Sequence, residues 1–152
     1  MKELAEKKTG MHTTFEICAR NADKPPLTFY EIKRTIDQFQ NDESWMLTSA
    51  GRFSEKAEMF PNSVFIIGAD TLMRVFDEKF YDSHKNMMEH IQRFNDHNIN
   101  FLVFGRKVNN NFISLKNINV PDIIVDRCTG IDESLFRDCL LYTSPSPRDL
   151  ST

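Results

Sequence analysis

The sequence predicts an α/β fold, with a mainly parallel sheet and helices on both of its faces. Two observations lead there. Unbroken apolar runs, Val64-Phe65-Ile66-Ile67 and Phe101-Leu102-Val103-Phe104, each stop at a glycine, and runs of that length fit strands covered on both faces. Between and around them lie stretches with apolar residues at helical spacing. Strands alternating with helices argue for parallel pairing through crossovers. Ligands in such sheets bind beyond the carboxyl ends of the strands.

The elements follow in order. Met1-Lys2-Glu3-Leu4-Ala5-Glu6-Lys7-Lys8 reads as the back half of an amphipathic helix ending at Gly10. It lacks the apolar stretch of a signal peptide. His12 to Cys18 alternates polar and apolar, a strand signal. Asn21-Ala22-Asp23-Lys24-Pro25-Pro26 is a loop, because Pro-Pro offers no amide donor. Thr28 with Glu31 matches a capping box, and Phe29, Ile32, Ile36 and Phe39 continue at helical spacing.

Trp45 to Leu47 reads as a short buried strand. Phe53, Ala57 and Phe60 mark a helix stopped before Pro61, and Leu72, Val75 and Phe76 mark another after Gly68. Met87, Ile91 and Phe94 outline a helix over about Ser83 to His97. Phe112 to Leu115 fits either element. Ile123-Ile124-Val125 reads as a further strand, and Asp132 to Asp138 as a helix start or loop.

Composition narrows the function classes. Hydrophobic residues make up 40% of the 152, enough for a core, and the thirteen Phe sit mostly in apolar runs. The net charge of −3 argues against a general grip on nucleic acid and leaves room for a local phosphate-binding patch. Three cysteines, Cys18, Cys128 and Cys139, without a C-x-x-C pair fit reduced thiols in a cytoplasmic protein. No apolar stretch reaches the roughly 20 residues of a membrane helix, so no membrane partner is expected.

The string from Cys139 to Asp149, with Pro145 and Pro147 two apart, breaks the pattern before it. It resembles the translated read-through of a sequencing-library adapter. Residues 139–152 are therefore set aside as foreign to the fold, and 1–138 are read as one partial domain.

Motifs for chemistry are sparse. There is no G-x-G-x-x-G and no G-x-x-x-x-G-K-[ST]. His84, His90 and His97 lie on one polar helix and read as solvated; no metal spacing is present. Cys128 has no histidine near it in sequence, which speaks against a nucleophile. Trp45, within an apolar strand, reads as core packing rather than a stacking platform.

The strand ends carry more. Gly68-Ala69-Asp70-Thr71 would let backbone approach a ligand closely, followed by helix amides. Asp70 could accept from ribose hydroxyls or be only a helix N-cap. Gly105-Arg106 repeats the design one unit later. Arg106 would set a planar cation near a phosphate, or simply meet a carboxylate at the surface. Lys24, beside the rigid Pro25-Pro26, is either a phosphate or carboxylate contact or part of a plain surface loop.

Four ordered stretches together resemble the nicotinamide-nucleotide adenylyltransferase family, in its cytidylyltransferase-like branch. They are Asn21-Ala22-Asp23-Lys24-Pro25-Pro26-Leu27, Lys56-Ala57-Glu58-Met59-Phe60-Pro61, Phe65-Ile66-Ile67-Gly68-Ala69-Asp70-Thr71 and Phe101-Leu102-Val103-Phe104-Gly105-Arg106. The resemblance implies a Rossmann-like three-layer sandwich lacking its first strand. It implies adenylyl transfer from ATP to nicotinamide or nicotinate mononucleotide, assisted by Mg²⁺ and giving NAD and pyrophosphate. Gly68, Asp70 and Thr71 would hold the nucleotide, Gly105 and Arg106 would line the site, and Asn21 and Lys24 would lie in the substrate-side loop.

Two departures bear on activity. The family's H-x-G-H motif occurs nowhere in the sequence. Its I-S-S-T-x-x-R-like motif should follow Phe136-Arg137-Asp138, where the adapter-like string stands. The chain as written is expected to be nearly inactive, and an unpaired interior strand edge is expected to make it poorly soluble. Two readings stay open beside the enzyme: a non-catalytic nucleotide-binding or regulatory module, and a related transferase using CTP or another acceptor.

Overall fold

A computed structural model describes residues 1–21 and 24–131. The expected helix start at 132–138, the tail at 139–152, and Ala22 and Asp23 of the loop lie outside them. The fold is mixed α/β, with five α-helices and mainly parallel strand pairs among the described residues. The described residues divide into two compact units, 1–52 and 53–131.

The first unit opens with α1 (Lys2–Thr9). Gly10 ends it in the left-handed conformation, φ 68°, its N–H donating to the Glu6 carbonyl at 2.8 Å. A side chain there would be strained, so glycine is the natural stop. Strands β1 (Thr14–Cys18) and β2 (Ser44–Thr48) pair in parallel, Phe15 opposite Trp45 and Ile17 opposite Leu47. Between them runs α2 (Phe29–Ile36). Its capping box forms as expected: the Thr28 amide donates to Glu31 at 2.7 Å and the Glu31 amide to Thr28 Oγ1 at 3.3 Å. The Thr28 amide, with the Thr28 hydroxyl donating to the same carboxylate at 2.8 Å, holds the Glu31 carboxyl below its ordinary pKa. The helix ends three residues before Phe39, whose ring instead stacks on Trp45 at 6.5 Å and tilts against Phe15 at 5.1 Å.

Here the sequence expectation needs correction. β2 is not a buried strand: Trp45 is 42% exposed and Leu47 49%. Its one hydrogen-bonded neighbour among the described residues is β1. Trp45 is therefore neither a core residue nor bare, but an exposed ring backed by Phe39 on one side.

The second unit contains α3 (Phe53–Met59), β3 (Val64–Gly68), α4 (Ala69–Val75), α5 (His84–Asp96) and β4 (Asn100–Phe104). The hairpin β5 (Arg106–Val108) and β6 (Asn111–Ile113) follows, then β7 (Cys128–Gly130). The sheet order is β3-β4-β7, all parallel. Central β4 is buried from Phe101 to Phe104. Phe94 of α5 meets Phe101 edge-on at 5.0 Å, and Phe65 meets it at 5.9 Å. Leu72, Ile91, Ile99 and Ile124 complete this core.

The hairpin settles the ambiguous segment: Phe112 and Ile113 are strand, and Leu115 opens a short 3₁₀ turn. Asn109 and Asn110 both take positive φ, 48° and 65°, as a two-residue hairpin turn requires. The strand expected at Ile123-Ile124-Val125 is a turn instead. The Ile124 amide donates to the Pro121 carbonyl at 3.1 Å, and the strand comes afterwards, at Cys128–Gly130. Ile124 is fully buried while Ile123 and Val125 are exposed. One anchoring side chain in a turn thus explains the apolar triplet.

Candidate site at the strand ends

β3 and β4 are in register with Gly68 opposite Phe104. Gly68 and Gly105 therefore stand at the same carboxyl end of adjacent parallel strands, where this class of sheet binds ligands. Gly68 closes β3 and is the residue just before α4, with extended φ −76° and ψ 153°. Asp70 is consequently not the N-cap; it lies inside the first turn of α4, followed by half-buried Thr71. A carboxylate in that turn is favoured by the free amides of the helix start.

The Asp70 side chain folds back over Gly68. A Cβ on Gly68 would come 2.7 Å from Asp70 Oδ1, so glycine makes room for this carboxylate. Asp70 Oδ2 accepts a hydrogen bond from Arg106 Nη1 at 3.3 Å and lies 3.8 Å from Arg74 Nη2. Oδ1 is buried and has no hydrogen-bond partner. Buried carboxylate oxygens are ordinarily satisfied, which makes this one notable.

Gly105 has a different neighbour. A Cβ there would strike the Phe112 ring, 2.7 Å from its Cε1, and sit 3.3 Å from the Ile113 carbonyl. The glycine is required by the hairpin folding back over the strand end, which is a packing reason. Arg106 opens that hairpin, opposite Ile113, with its side chain about half exposed. The structure thus unites two readings of Arg106: it meets a carboxylate, and the carboxylate is the other expected site residue.

Asn21 and Lys24 belong to the first unit. Asn21 is half-buried and Lys24 exposed, in a loop drawn together at its base by the Leu27 amide donating to the Ala19 carbonyl at 2.9 Å.

Sequence reasoning missed three participants. Arg74 sits one turn after Asp70, and the i, i+4 spacing was its available signal. Phe112 carried no local sign, since its role depends on the hairpin. His90 is not solvated as expected: it is half-buried, its Nδ1 2.8 Å from Ser54 Oγ and its ring 5.4 Å from Tyr81. This pair ties α3 to α5. Ser54 is buried to 3% exposure, so it offers no surface to a substrate.

Cys128 is half-buried, and burial pushes its thiol up to about 11. A thiol so far from ionisation makes a poor nucleophile, in keeping with the sequence reading. Among the described residues no group of three or more His, Cys, Asp or Glu could hold a metal ion. No helix among them is long and apolar enough to cross a membrane.

No protein-family model, no curated protein and no solved structure matches this chain.

Proposed function

We propose that the chain is a nucleotide-binding fold of the nucleotidyltransferase type, in which the ends of β3 and β4 hold the nucleotide. The observation that carries this reading is the meeting of Asp70 and Arg106 at the carboxyl ends of adjacent parallel strands. An acceptor for hydroxyl donors and a cation for phosphate then stand side by side. By resemblance, the reaction is adenylyl transfer from ATP to nicotinamide or nicotinate mononucleotide with Mg²⁺. The same reading includes a three-layer Rossmann-like sandwich and a cytoplasmic setting.

Such transfer asks the protein chiefly to position the α-phosphate and to stabilise charge on the leaving pyrophosphate. Asp70 would orient the nucleoside and Arg106 would neutralise phosphate charge. Each preorganised donor is worth on the order of 10²–10³ in rate. Without H-x-G-H, turnover of this chain is expected to be negligible although ATP still binds. A coupled NAD-formation assay and calorimetric titration with ATP test both halves. ATP binding weakened about tenfold by Asp70→Asn supports the reading; no ATP binding by the unaltered chain overturns it.

The second reading, a non-catalytic nucleotide-binding module, is favoured by the absence of H-x-G-H from the sequence. Genomic DNA upstream of Met1 separates the two. An in-frame strand followed by H-x-G-H supports the enzyme, and a stop codon supports the module.

A further inference from the structure

The amino ends of β1 and β2 carry a side-chain cluster that the nucleotide reading does not use. His12 lies two residues before β1, and Ser44 opens β2 opposite Thr14. Parallel pairing in that register brings the two together, with His12 Nε2 2.9 Å from Ser44 Oγ. On the other side of the ring, His12 Nδ1 lies 3.5 Å from Glu6 Oε1. Glu6 belongs to α1, and the Thr13 amide donates to that same oxygen at 2.9 Å. A carboxylate beside Nδ1 favours the tautomer with its proton there, which leaves Nε2 to accept from the Ser44 hydroxyl.

Hydroxyl, base and orienting carboxylate in that order make an activated nucleophile. The cluster is open to solvent, the His12 side chain being 63% exposed, so an acyl donor can reach it. Two neighbouring amides are already committed, Thr13 to Glu6 and Glu43 to the Gln40 carbonyl at 3.0 Å. An oxyanion therefore gains nothing from them, which restricts the reaction to esters with an acidic, phenol-type leaving group. We propose that Ser44 is an acyl-accepting nucleophile for such activated esters, with His12 as its general base and Glu6 as the positioning residue. Ser44 Oγ attacks the carbonyl carbon while its proton passes to His12 Nε2. The bond from that carbon to the phenolate breaks, and His12 returns the proton to the phenolate. The products are an acyl ester on Ser44 and a phenol. The three residues all lie in the first unit, so the site stands independently of the nucleotide reading.

Treating the whole chain with p-nitrophenyl acetate and following acetylation by peptide mass spectrometry tests this. Ser49, exposed just past β2, is the internal reference. Ser44 is expected to react about a hundredfold faster than Ser49, the low end for a positioned base. His12→Ala is expected to remove that advantage, and added imidazole to restore part of it relative to Ser49. Rescue of this kind separates a lost base from a lost fold. Glu6→Gln is expected to slow Ser44 several-fold and to move the nitrogen NMR signals of His12 from the Nδ1–H toward the Nε2–H tautomer. Equal rates at Ser44 and Ser49 in the unaltered chain, or a Ser44 rate that His12→Ala leaves unchanged, overturns the proposal. A loss in His12→Ala that imidazole does not restore overturns His12 as the base, and a tautomer unmoved by Glu6→Gln overturns the role of Glu6.

Discussion

Strands β2 and β4 are alike in length and in apolar content, and the molecule treats them oppositely. β4, Asn-Phe-Leu-Val-Phe, lies between β3 and β7, and its last four residues are at most 2% exposed. β2, Ser-Trp-Met-Leu-Thr, pairs with β1 alone among the described residues and shows Trp45 and Leu47 to solvent. The difference teaches that an apolar strand is buried by what lies on its faces and edges, not by its own composition. Helix α5 and the neighbouring strands cover β4 with rings and branched side chains. The single ring of Phe39 backs Trp45.

The sharpest way to break this comparison is truncation at matched positions. Phe101→Ala removes a ring in contact with Phe65 and Phe94. It is expected to cost about 3–5 kcal/mol and to lower amide protection across the second unit. Trp45→Ala, at the equivalent position along β2, is expected to cost under about 1.5 kcal/mol because much of that ring is already wet. Urea denaturation with hydrogen exchange on both variants checks this, and equal losses would mean that burial does not separate the two strands.

A smaller effect probes the end of β4. Gly105→Ala drives a methyl into Phe112 and is expected to cost about 1–3 kcal/mol. Pairing it with Phe112→Ala should recover part of that loss, since neighbours in contact are not additive. A double variant whose loss equals the sum would remove Phe112 as the reason for the glycine.

The smallest effect compares chemistry rather than packing. Burial pushes the thiol of Cys128, on β7 of the covered sheet, above that of an ordinary cysteine, to about 11. A raised folded-state pKa means its contribution to stability is complete below the unfolded value near 8.5. That contribution is lost as pH rises toward 11. Thiol labelling at pH 8 should therefore be slow at Cys128 in the native chain and fast in urea. Rapid native labelling at that position would contradict the burial.

Much of the fold was legible because it is local. The capping box at Thr28 and Glu31 and the glycine stop of α1 both depend on residues within one turn. The strands from Val64 and Phe101 announced themselves by unbroken apolar runs ended by glycine. The false strand at Ile123 shows the limit of that signal: three apolar residues satisfied a strand pattern, while a turn used only Ile124 as its anchor. The site was half legible. Asp70 and Arg106 were visible as strand-end residues, but their contact spans 36 positions in sequence.

By itself the sequence determined where α1 stops and α2 begins, that the runs from Val64 and Phe101 become strands, and that a glycine stands at the end of each. Those choices are made by backbone sterics and hydrogen bonds a few residues apart. The tertiary structure decided the rest. It brought Gly68 level with Phe104 and set Arg106 on one oxygen of Asp70. It also filled the space at Gly105 with a ring from the hairpin. Contacts of that kind depend on register and on which surfaces meet, and no stretch of sequence contains both sides of them.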